Sequence, residues 1–195
     1  MTGRQKVLRA VYPLWMGLTK LTGKNTDAET NRQHAVPPVS FYSLHSTLNN
    51  GKYFSFEQLK GKKVLLVNTA SDCGYTGQYS QLQQLQDKAG EKLVILAFPA
   101  NDFKQQEQGS DAQIAAFCHR NYGISFPLMQ KTVVVKGAEQ NPVFTWLTDK
   151  TLNGWNNRPP GWNFSKYLVN ENGILTGYFG PSVSPLSKQL LQAVE

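Results

Sequence analysis

The sequence has few cysteines and few histidines, and these shortages exclude several classes of protein. Two cysteines in 195 residues, Cys73 and Cys118, are too few for a disulfide-stapled scaffold. Neither belongs to a Cys-x-x-Cys pair, which argues against a general disulfide oxidoreductase. The histidines His34, His45 and His119 lack the spacing to Cys73 that a metal site requires. We therefore expect neither a metal nor any other cofactor.

Charge is scarce as well, and it is unevenly placed. Charged residues make up 17% of the chain, and the formal net charge is +7. Residues 1–24 hold five basic residues and no acidic one, so the remainder is nearly neutral. That remainder has no basic run with interleaved aromatic residues, which argues against a nucleic-acid-binding domain. A hydrophobic content of 40% indicates a soluble globular protein of one domain.

Residues 1–24 predict a basic amphipathic helix. Apolar residues fall on one side of it and basic residues on the other: Val7, Val11, Leu14, Trp15, Leu18 and Leu21 against Lys6, Arg9, Lys20 and Lys24. Pro13 predicts a kink or a division into two short helices. Two interpretations stay open. The segment contacts an anionic membrane surface, or it packs on the body of the protein or forms a loose tail.

The same segment also suggests where in the cell the protein is found. It is too short and too charged to cross a bilayer, and Arg9 interrupts any secretory signal. We therefore expect a cytoplasmic protein, peripheral at a membrane surface if the first interpretation holds. Residues 25–38 are polar, end in Pro37-Pro38 and predict a linker.

The body, residues 39–195, predicts one α/β domain with a mixed sheet flanked by helices. Asn50-Gly51 predicts the turn of an N-terminal β-hairpin. Further strands are expected over Val64–Asn68, Glu91–Pro99 and residues 131–135, with two more about a turn at Glu171–Gly173. Helices are expected over Tyr79–Lys88, Asp111–Tyr122, Pro142–Leu147 and Ser184–Val194.

Cys73 lies just past the carboxyl end of the Val64–Asn68 strand and just before the next helix. Ligands of open α/β sheets bind at the carboxyl ends of strands. The N–H groups and positive partial charge of a helix N-terminus favour a thiolate. Gly74 and Gly77 allow close approach of the backbone to the sulfur. A buried structural cysteine is the alternative, but Cys73 stands outside the apolar run, which favours a reactive thiol.

Three segments resemble the glutathione peroxidase family, in the family's order and spacing. They are NTASDCGYT around Cys73, FPANDF at Phe98–Phe103 and GWNFSKYLVNENG at Gly161–Gly173. The resemblance runs from about Val39 to the C-terminus. It implies a thioredoxin-like fold and an antioxidant enzyme that reduces hydrogen peroxide and organic or lipid hydroperoxides through a cysteine sulfenic acid.

The resemblance also implies site residues. The nucleophile falls on Cys73, and a tryptophan and an asparagine that surround it fall on Trp162 and Asn163. Their N–H groups can donate to a thiolate and to the leaving oxygen. The family glutamine is placed at Asp102, where an ionised carboxylate cannot donate and would raise the thiol pKa. We therefore expect Asp102 to slow attack on the peroxide.

Cys118 lies in IAAFCHRNYGISFP, which resembles the region that carries the family's resolving cysteine. The resemblance implies a Cys73–Cys118 disulfide reduced by thioredoxin, and the helix would have to unwind to form it. A structural Cys118, with glutathione as reductant, is the alternative. The short span Gln130–Pro160 resembles monomeric members. A peroxide sensor that passes oxidation to a partner protein is a second hypothesis, and a metal-carrying binding protein is a third.

Overall fold

The computed structural model describes residues 2–21 and 27–195, with the backbone alone for residues 9, 15, 16 and 19–21. The strands, in chain order, are β1 Ala28–Thr30, β2 His45–Thr47, β3 Tyr53–Ser55, β4 Lys63–Thr69, β5 Leu93–Pro99, β6 Lys166–Val169 and β7 Leu175–Phe179. The helices are α1 Gly3–Leu21, α2 Gln78–Ala89, α3 Asp111–Tyr122, α4 Pro142–Leu147, α5 Lys150–Asn153 and α6 Lys188–Val194.

Five strands form the central sheet in the order β1-β7-β6-β4-β5, and β2 and β3 form a separate hairpin. Strands β4 and β5 are parallel and are joined through α2, whereas β6 is antiparallel to both β4 and β7. The predicted mixed sheet with flanking helices is confirmed. Its parallel strands β4 and β5 are almost entirely buried, because both faces are covered.

Alternate residues of β4 belong to two different hydrophobic clusters. Leu65 and Val67 face the cluster that includes residues of α2, α3 and α6, and both cysteines belong to it. Val64 and Leu66 face the cluster that includes α4 and the β2–β3 hairpin. The loops at the carboxyl end of β4 therefore lie above a rigid double-sided core, which is where Cys73 follows the strand.

One predicted strand is absent. Residues 131–135 have the β-branched composition of a strand, yet they make only an isolated bridge, between Val133 and Gln140. Their backbone N–H groups form single hydrogen bonds to different partners instead of a strand ladder. Thr132 N–H donates to the Pro99 carbonyl at 2.9 Å, and Val134 N–H donates to Asp102. This segment meets β5 only at the last residue of that strand, Pro99, so most of it lies beyond the edge with which it could pair. The last helix also begins later than predicted, at Lys188 after the cap Ser187.

The predicted linker contains a strand. Ala28–Thr30 pairs antiparallel with β7 at the edge of the sheet. Arg158 secures it through ion pairs with Asp27 at 2.6 Å and Glu29 at 2.7 Å. A three-residue edge strand exposed on one side needs little apolar character, so its polar composition resembled that of a linker. Residues 25 and 26 of the predicted linker lie outside the described residues.

Helix α1 runs through Pro13 as one element, so the predicted division into two helices is wrong. It contacts the body through Tyr12, which is 6% exposed, rests on Gly77 and donates to Gln81 Oε1 at 2.9 Å. Its apolar residues Val7, Val11 and Leu14 are exposed. The side chains of Arg9, Trp15, Lys20 and Leu21, and all of Lys24, fall outside the described part of the predicted helix.

Candidate active site

Cys73 lies in the loop that joins β4 to α2, and its side chain is only 1% exposed. The backbone N–H of Tyr75 donates to Sγ at 3.4 Å. The loop is tied to a neighbouring loop by Asp72 N–H, which donates to the Gln106 carbonyl at 3.0 Å. Cys73 is therefore a buried thiol held on a fixed backbone.

Trp162 and Asn163 reach this sulfur from the turn that precedes β6. Asn163 is fully buried, and Trp162 is half-buried against the ring of Phe103, at 5.3 Å between ring centroids. The donor side chains of both residues lower the pKa of Cys73. The structure thus brings Trp162 and Asn163 close to Cys73, which lies about ninety positions earlier in the sequence.

Burial decides the charge state of the thiol. Loss of solvent raises the pKa of Cys73 above its ordinary value, while Tyr75 N–H, Asn163 and Trp162 lower it. The charge of Asp72 raises it further. The lowering of the Cys73 pKa that was expected from the helix N-terminus is not the net result, because burial outweighs the donors. Helix α2 begins only at Gln78. The donors at the sulfur therefore offset a burial cost rather than create a freely ionised thiol.

Gln106 is a site residue that the sequence did not reveal. Asn163 Nδ2 donates to Gln106 Oε1 at 2.9 Å, so a glutamine does stand beside the asparagine of the site. Gln106 reaches this position because Lys104 and Gln105 adopt left-handed backbone conformations, with φ of 51° and 52°. These two residues turn the loop back toward Cys73. Sequence spacing gave no signal of that turn.

Asp102, where the family glutamine was predicted, points elsewhere. Its Oδ2 accepts the backbone N–H of Val134 at 2.9 Å. The acidic side chain that raises the pKa of Cys73 is that of Asp72. Asp102 therefore serves to hold the segment after β5, and the expectation that it opposes the thiolate has no support in these contacts.

Cys118 is fully buried on α3, and both cysteines are free thiols. Burial raises the pKa of Cys118 to about 12, the nearby Tyr79 side chain lowers it, and the charge of Glu107 raises it further. Cys118 is thus an unreactive thiol while α3 is intact.

Glu107 is a buried carboxyl group between the loop that carries Cys73 and α3. Ser71 Oγ donates to its Oε2 at 3.0 Å, and burial raises the pKa of Glu107 to about 7. It lines a cavity of about 660 Å³ together with Asp72, Gln106, Phe117 and the first residues of α1. Arg4 of α1 forms an ion pair with Asp72 at the wall of this cavity. Cys73 itself is not part of the lining, so the cavity adjoins the sulfur rather than exposing it.

Within residues 2–21 and 27–195, no group of three His, Cys, Asp or Glu side chains is arranged to hold a metal ion. In the same ranges, no helix has both the length and the apolar character that a bilayer-spanning helix needs.

Comparison with known proteins decides the family. The family model described as glutathione peroxidase matches residues 41–148, more than half of the chain. The chain belongs to the glutathione peroxidase family. It is similar to glutathione peroxidase-like peroxiredoxin 2 of Saccharomyces cerevisiae, with 44% identity over 150 residues, which cover 76% of this chain and 92% of the yeast protein.

Solved structures agree with this family assignment. The crystal structure of T. cruzi GPX1 is 28% identical, with a TM-score of 0.58, over 80% of this chain and 96% of that one. A thioredoxin family protein from Chlorobium tepidum is 17% identical, with a TM-score of 0.56, over 83% and 97% of the two chains, and shows the fold alone. The predicted thioredoxin-like fold is confirmed.

Membership in the glutathione peroxidase family makes this chain a peroxidase, an oxidoreductase that acts on peroxide, as the sequence resemblance implied. The family match contains Cys73, Asp102, Gln106 and Cys118 but ends before Trp162 and Asn163. The approach of those two residues to Cys73 is therefore evidence independent of that match.

Proposed function

We propose that Cys73 is the peroxidatic nucleophile of this thiol peroxidase, with Trp162, Asn163 and Gln106 as its polar surroundings. The observation that carries the proposal is the convergence of the Trp162 and Asn163 donors on a buried sulfur. Burial raises the pKa of Cys73, and the Tyr75, Asn163 and Trp162 donors favour the charged form and so oppose that rise. Asn163 in turn is oriented by Gln106, so the arrangement is ready before substrate arrives.

The reaction follows from this geometry. The Cys73 thiolate attacks one oxygen of the hydroperoxide, an S–O bond forms and the O–O bond breaks. The sulfur is oxidised to sulfenic acid, and the peroxide is reduced to water or an alcohol once the leaving oxygen takes the proton that the thiol lost. The Trp162 and Asn163 N–H groups are placed to stabilise negative charge that moves from sulfur to oxygen.

Thioredoxin is the reductant that we favour. In this scheme Cys118 attacks the Cys73 sulfenic acid, which releases water and leaves a disulfide that a dithiol protein reduces. The similar yeast protein is named as a peroxiredoxin. Because Cys118 is fully buried in α3, the helix must open before the two sulfurs can bond. Direct reduction of Cys73 by glutathione would leave α3 intact.

Steady-state turnover tests this function. Purified protein is assayed with hydrogen peroxide, an organic hydroperoxide or a phospholipid hydroperoxide, with NADPH consumption coupled to thioredoxin and its reductase or to glutathione and its reductase. We expect turnover with thioredoxin and little with glutathione. Rapid oxidation of Cys73 without turnover in either system would instead support a sensor that passes oxidation to a partner.

We also propose that α1 contacts an anionic membrane surface while it stays docked on the protein. Val7, Val11 and Leu14 are 61%, 45% and 76% exposed, whereas Tyr12 on another side of the helix is buried against the body. Residues 1–24 carry five basic residues and no acidic one. An exposed apolar face on a strongly basic segment fits an anionic membrane surface. The protein would then be a cytoplasmic monomer that binds membranes peripherally.

Co-sedimentation with vesicles tests this contact. Because β1 belongs to the sheet, the full chain is used rather than a truncation. We expect the protein to pellet with vesicles that contain phosphatidylglycerol, less so at high salt, and Leu14→Asp to reduce pelleting. Val36→Asp is the matched control, since Val36 is 68% exposed but lies outside α1. Equal pelleting of both variants with the wild type would contradict the proposal, and sedimentation velocity without vesicles would test the monomer.

A further inference from the structure

The turn at residues 161–165 is fastened to the central sheet by one buried residue, Asn68 of β4. Asn68 Nδ2 donates to the Trp162 carbonyl at 3.1 Å, and Asn68 Oδ1 accepts the Ser165 N–H at 3.0 Å. The Asn68 carbonyl accepts the Phe164 N–H at 2.6 Å, and the Asn68 N–H donates to the Ser165 carbonyl at 3.3 Å. Both ends of its side chain and both of its backbone groups are therefore used on the same turn.

This turn needs such support because its backbone is strained. Phe164 has a φ of 67°, a left-handed conformation that costs free energy for a residue with a large side chain. Lys166, fully buried, donates from Nζ to the Phe164 carbonyl at 2.7 Å. Ser165 Oγ donates to the Trp162 carbonyl at 2.9 Å. The conformation is thus held by hydrogen bonds rather than favoured by its own residues.

The position of Asn68 on β4 gives these bonds a functional meaning. The same strand leads directly into the loop that carries Cys73. Asn68 therefore joins the two parts of the site, the nucleophile loop and the turn with Trp162 and Asn163. We propose that Asn68 is a positioning residue, which holds the turn so that the side chains of Trp162 and Asn163 face Cys73.

The inference rests on the proposed roles of Trp162 and Asn163 at the sulfur. A donor that moves by about 1 Å loses much of its effect on a charged group. Because both donors lower the pKa of Cys73, a displaced turn should raise that pKa and leave less thiolate at neutral pH. A residue that merely stabilised the fold would not change the titration of one thiol.

The experiment measures the pH dependence of Cys73 alkylation by iodoacetamide in the full chain, with peptides resolved by mass spectrometry to separate Cys73 from Cys118. For Asn68→Ala we expect the Cys73 pKa to rise by about one unit, which corresponds to about tenfold less thiolate at pH 7. The second-order rate of oxidation by hydrogen peroxide, followed by stopped flow, should fall by a similar factor. Combining Asn68→Ala with Asn163→Ala should add less than the product of the single effects.

Asn153 provides a matched control. It is also fully buried, donates from Nδ2 to the Trp146 and Asn156 carbonyls, and accepts two backbone N–H groups at Oδ1. None of these hydrogen bonds of Asn153 involves a residue around Cys73. Asn153→Ala should lower the stability as Asn68→Ala does, yet leave the Cys73 titration unchanged. If Asn68→Ala fails to fold, Lys166→Met weakens the same turn from the other side and should also raise the Cys73 pKa.

The positioning role would be overturned if Trp162→Phe and Asn163→Ala alter the Cys73 titration but folded Asn68→Ala does not. If Asn68→Ala does not fold, an unchanged Cys73 titration in Lys166→Met has the same meaning. If Trp162→Phe and Asn163→Ala also leave the titration and the oxidation rate unchanged, the proposed site itself is wrong and the positioning role falls with it. The two failures are therefore distinguishable in one set of measurements.

Discussion

The side-chain amide of Asn163 donates a hydrogen bond to Oε1 of Gln106 at 2.9 Å. This bond joins the turn before β6 to the loop after β5, and the backbone carbonyl of Gln106 also accepts the N–H of Asp72, next to Cys73. Gln106 is thus in contact with both other parts of the site. Its side chain orients a donor, and its backbone fixes the nucleophile loop.

Removal of the Gln106 side chain should slow the peroxide step. In Gln106→Ala, Asn163 loses its partner and its N–H groups are less well aimed at the sulfur, so we expect oxidation of Cys73 by hydrogen peroxide to slow on the order of 10- to 100-fold. Stopped-flow tryptophan fluorescence measures this rate. Gln108→Ala, at another exposed position of the same loop, is the control. Equal rates in the two variants would contradict a role for Gln106.

Substitution of Asp102 should affect stability more than rate. Asp102→Ala leaves the Val134 N–H without its acceptor, and we expect the free energy of unfolding to fall by about 1–3 kcal/mol. Asp102→Asn, which keeps an acceptor oxygen, should recover most of that loss. Urea denaturation measures the stability, and stopped flow measures the rate. A marked acceleration of peroxide attack in Asp102→Asn would instead restore the idea that the carboxylate opposes the thiolate.

The contrast between Asp102 and Gln106 shows which parts of the candidate site can be predicted from the sequence. Cys73 could be predicted from its place between a buried strand and a helix, whereas Trp162 and Asn163 were implied only by the resemblance of their segment to the glutathione peroxidase family. Helix α3 has the predicted bounds, Asp111–Tyr122, and begins after its N-cap Ser110. Gln106 could not be predicted, because two left-handed residues reverse the loop before it. Such reversals depend on tertiary contacts, and neither Lys104 nor Gln105 is a residue type that signals one.

The missing strand at residues 131–135 has a related cause. Three consecutive valines favour an extended backbone, and β propensity describes how well a residue fits a pleated surface. A strand also needs a partner, and here the carboxyl end of β5 offers only single contacts such as that between Thr132 and Pro99. Conversely, Ala28–Thr30 has little β propensity but meets the open edge of β7. In both cases, the availability of a neighbouring strand determined whether a strand formed, and the sequence alone does not reveal that neighbour.

Cys118→Ser should separate the two halves of the catalytic cycle. We expect the first oxidation of Cys73 to be little changed, whereas turnover with thioredoxin should fall to near background because no resolving thiol remains. Peptide mapping after one equivalent of peroxide should show a Cys73–Cys118 disulfide in the wild type and a trapped sulfenic acid in the variant. Ala115→Ser, on the same helix, controls for an added hydroxyl group. Undiminished turnover of Cys118→Ser would favour glutathione and a structural Cys118.

Glu107 should make stability depend on pH. Burial raises its pKa to about 7 in the folded protein, above the usual carboxyl value of 4.5. The folded state therefore holds this proton more tightly than the unfolded chain does. The corresponding stability is fully present below about pH 4.5, is lost as the pH rises toward 7, and changes little above that. Ser71 and Lys131 favour the ionised Glu107 carboxylate and so reduce this loss of stability, whereas the negative charge of Asp72 increases it.

The isosteric variant Glu107→Gln removes this titration while it keeps an oxygen for the Ser71 hydroxyl. Relative to the variant, the wild type should lose on the order of 3 kcal/mol of unfolding free energy between pH 4.5 and pH 8. Urea denaturation across that range measures the difference. Glu139→Gln, at an exposed position, should run parallel to the wild type. Parallel curves for wild type and Glu107→Gln would show that Glu107 has the same pKa in the folded protein as in the unfolded chain, and hence that solvent or a cation reaches it through the adjoining cavity.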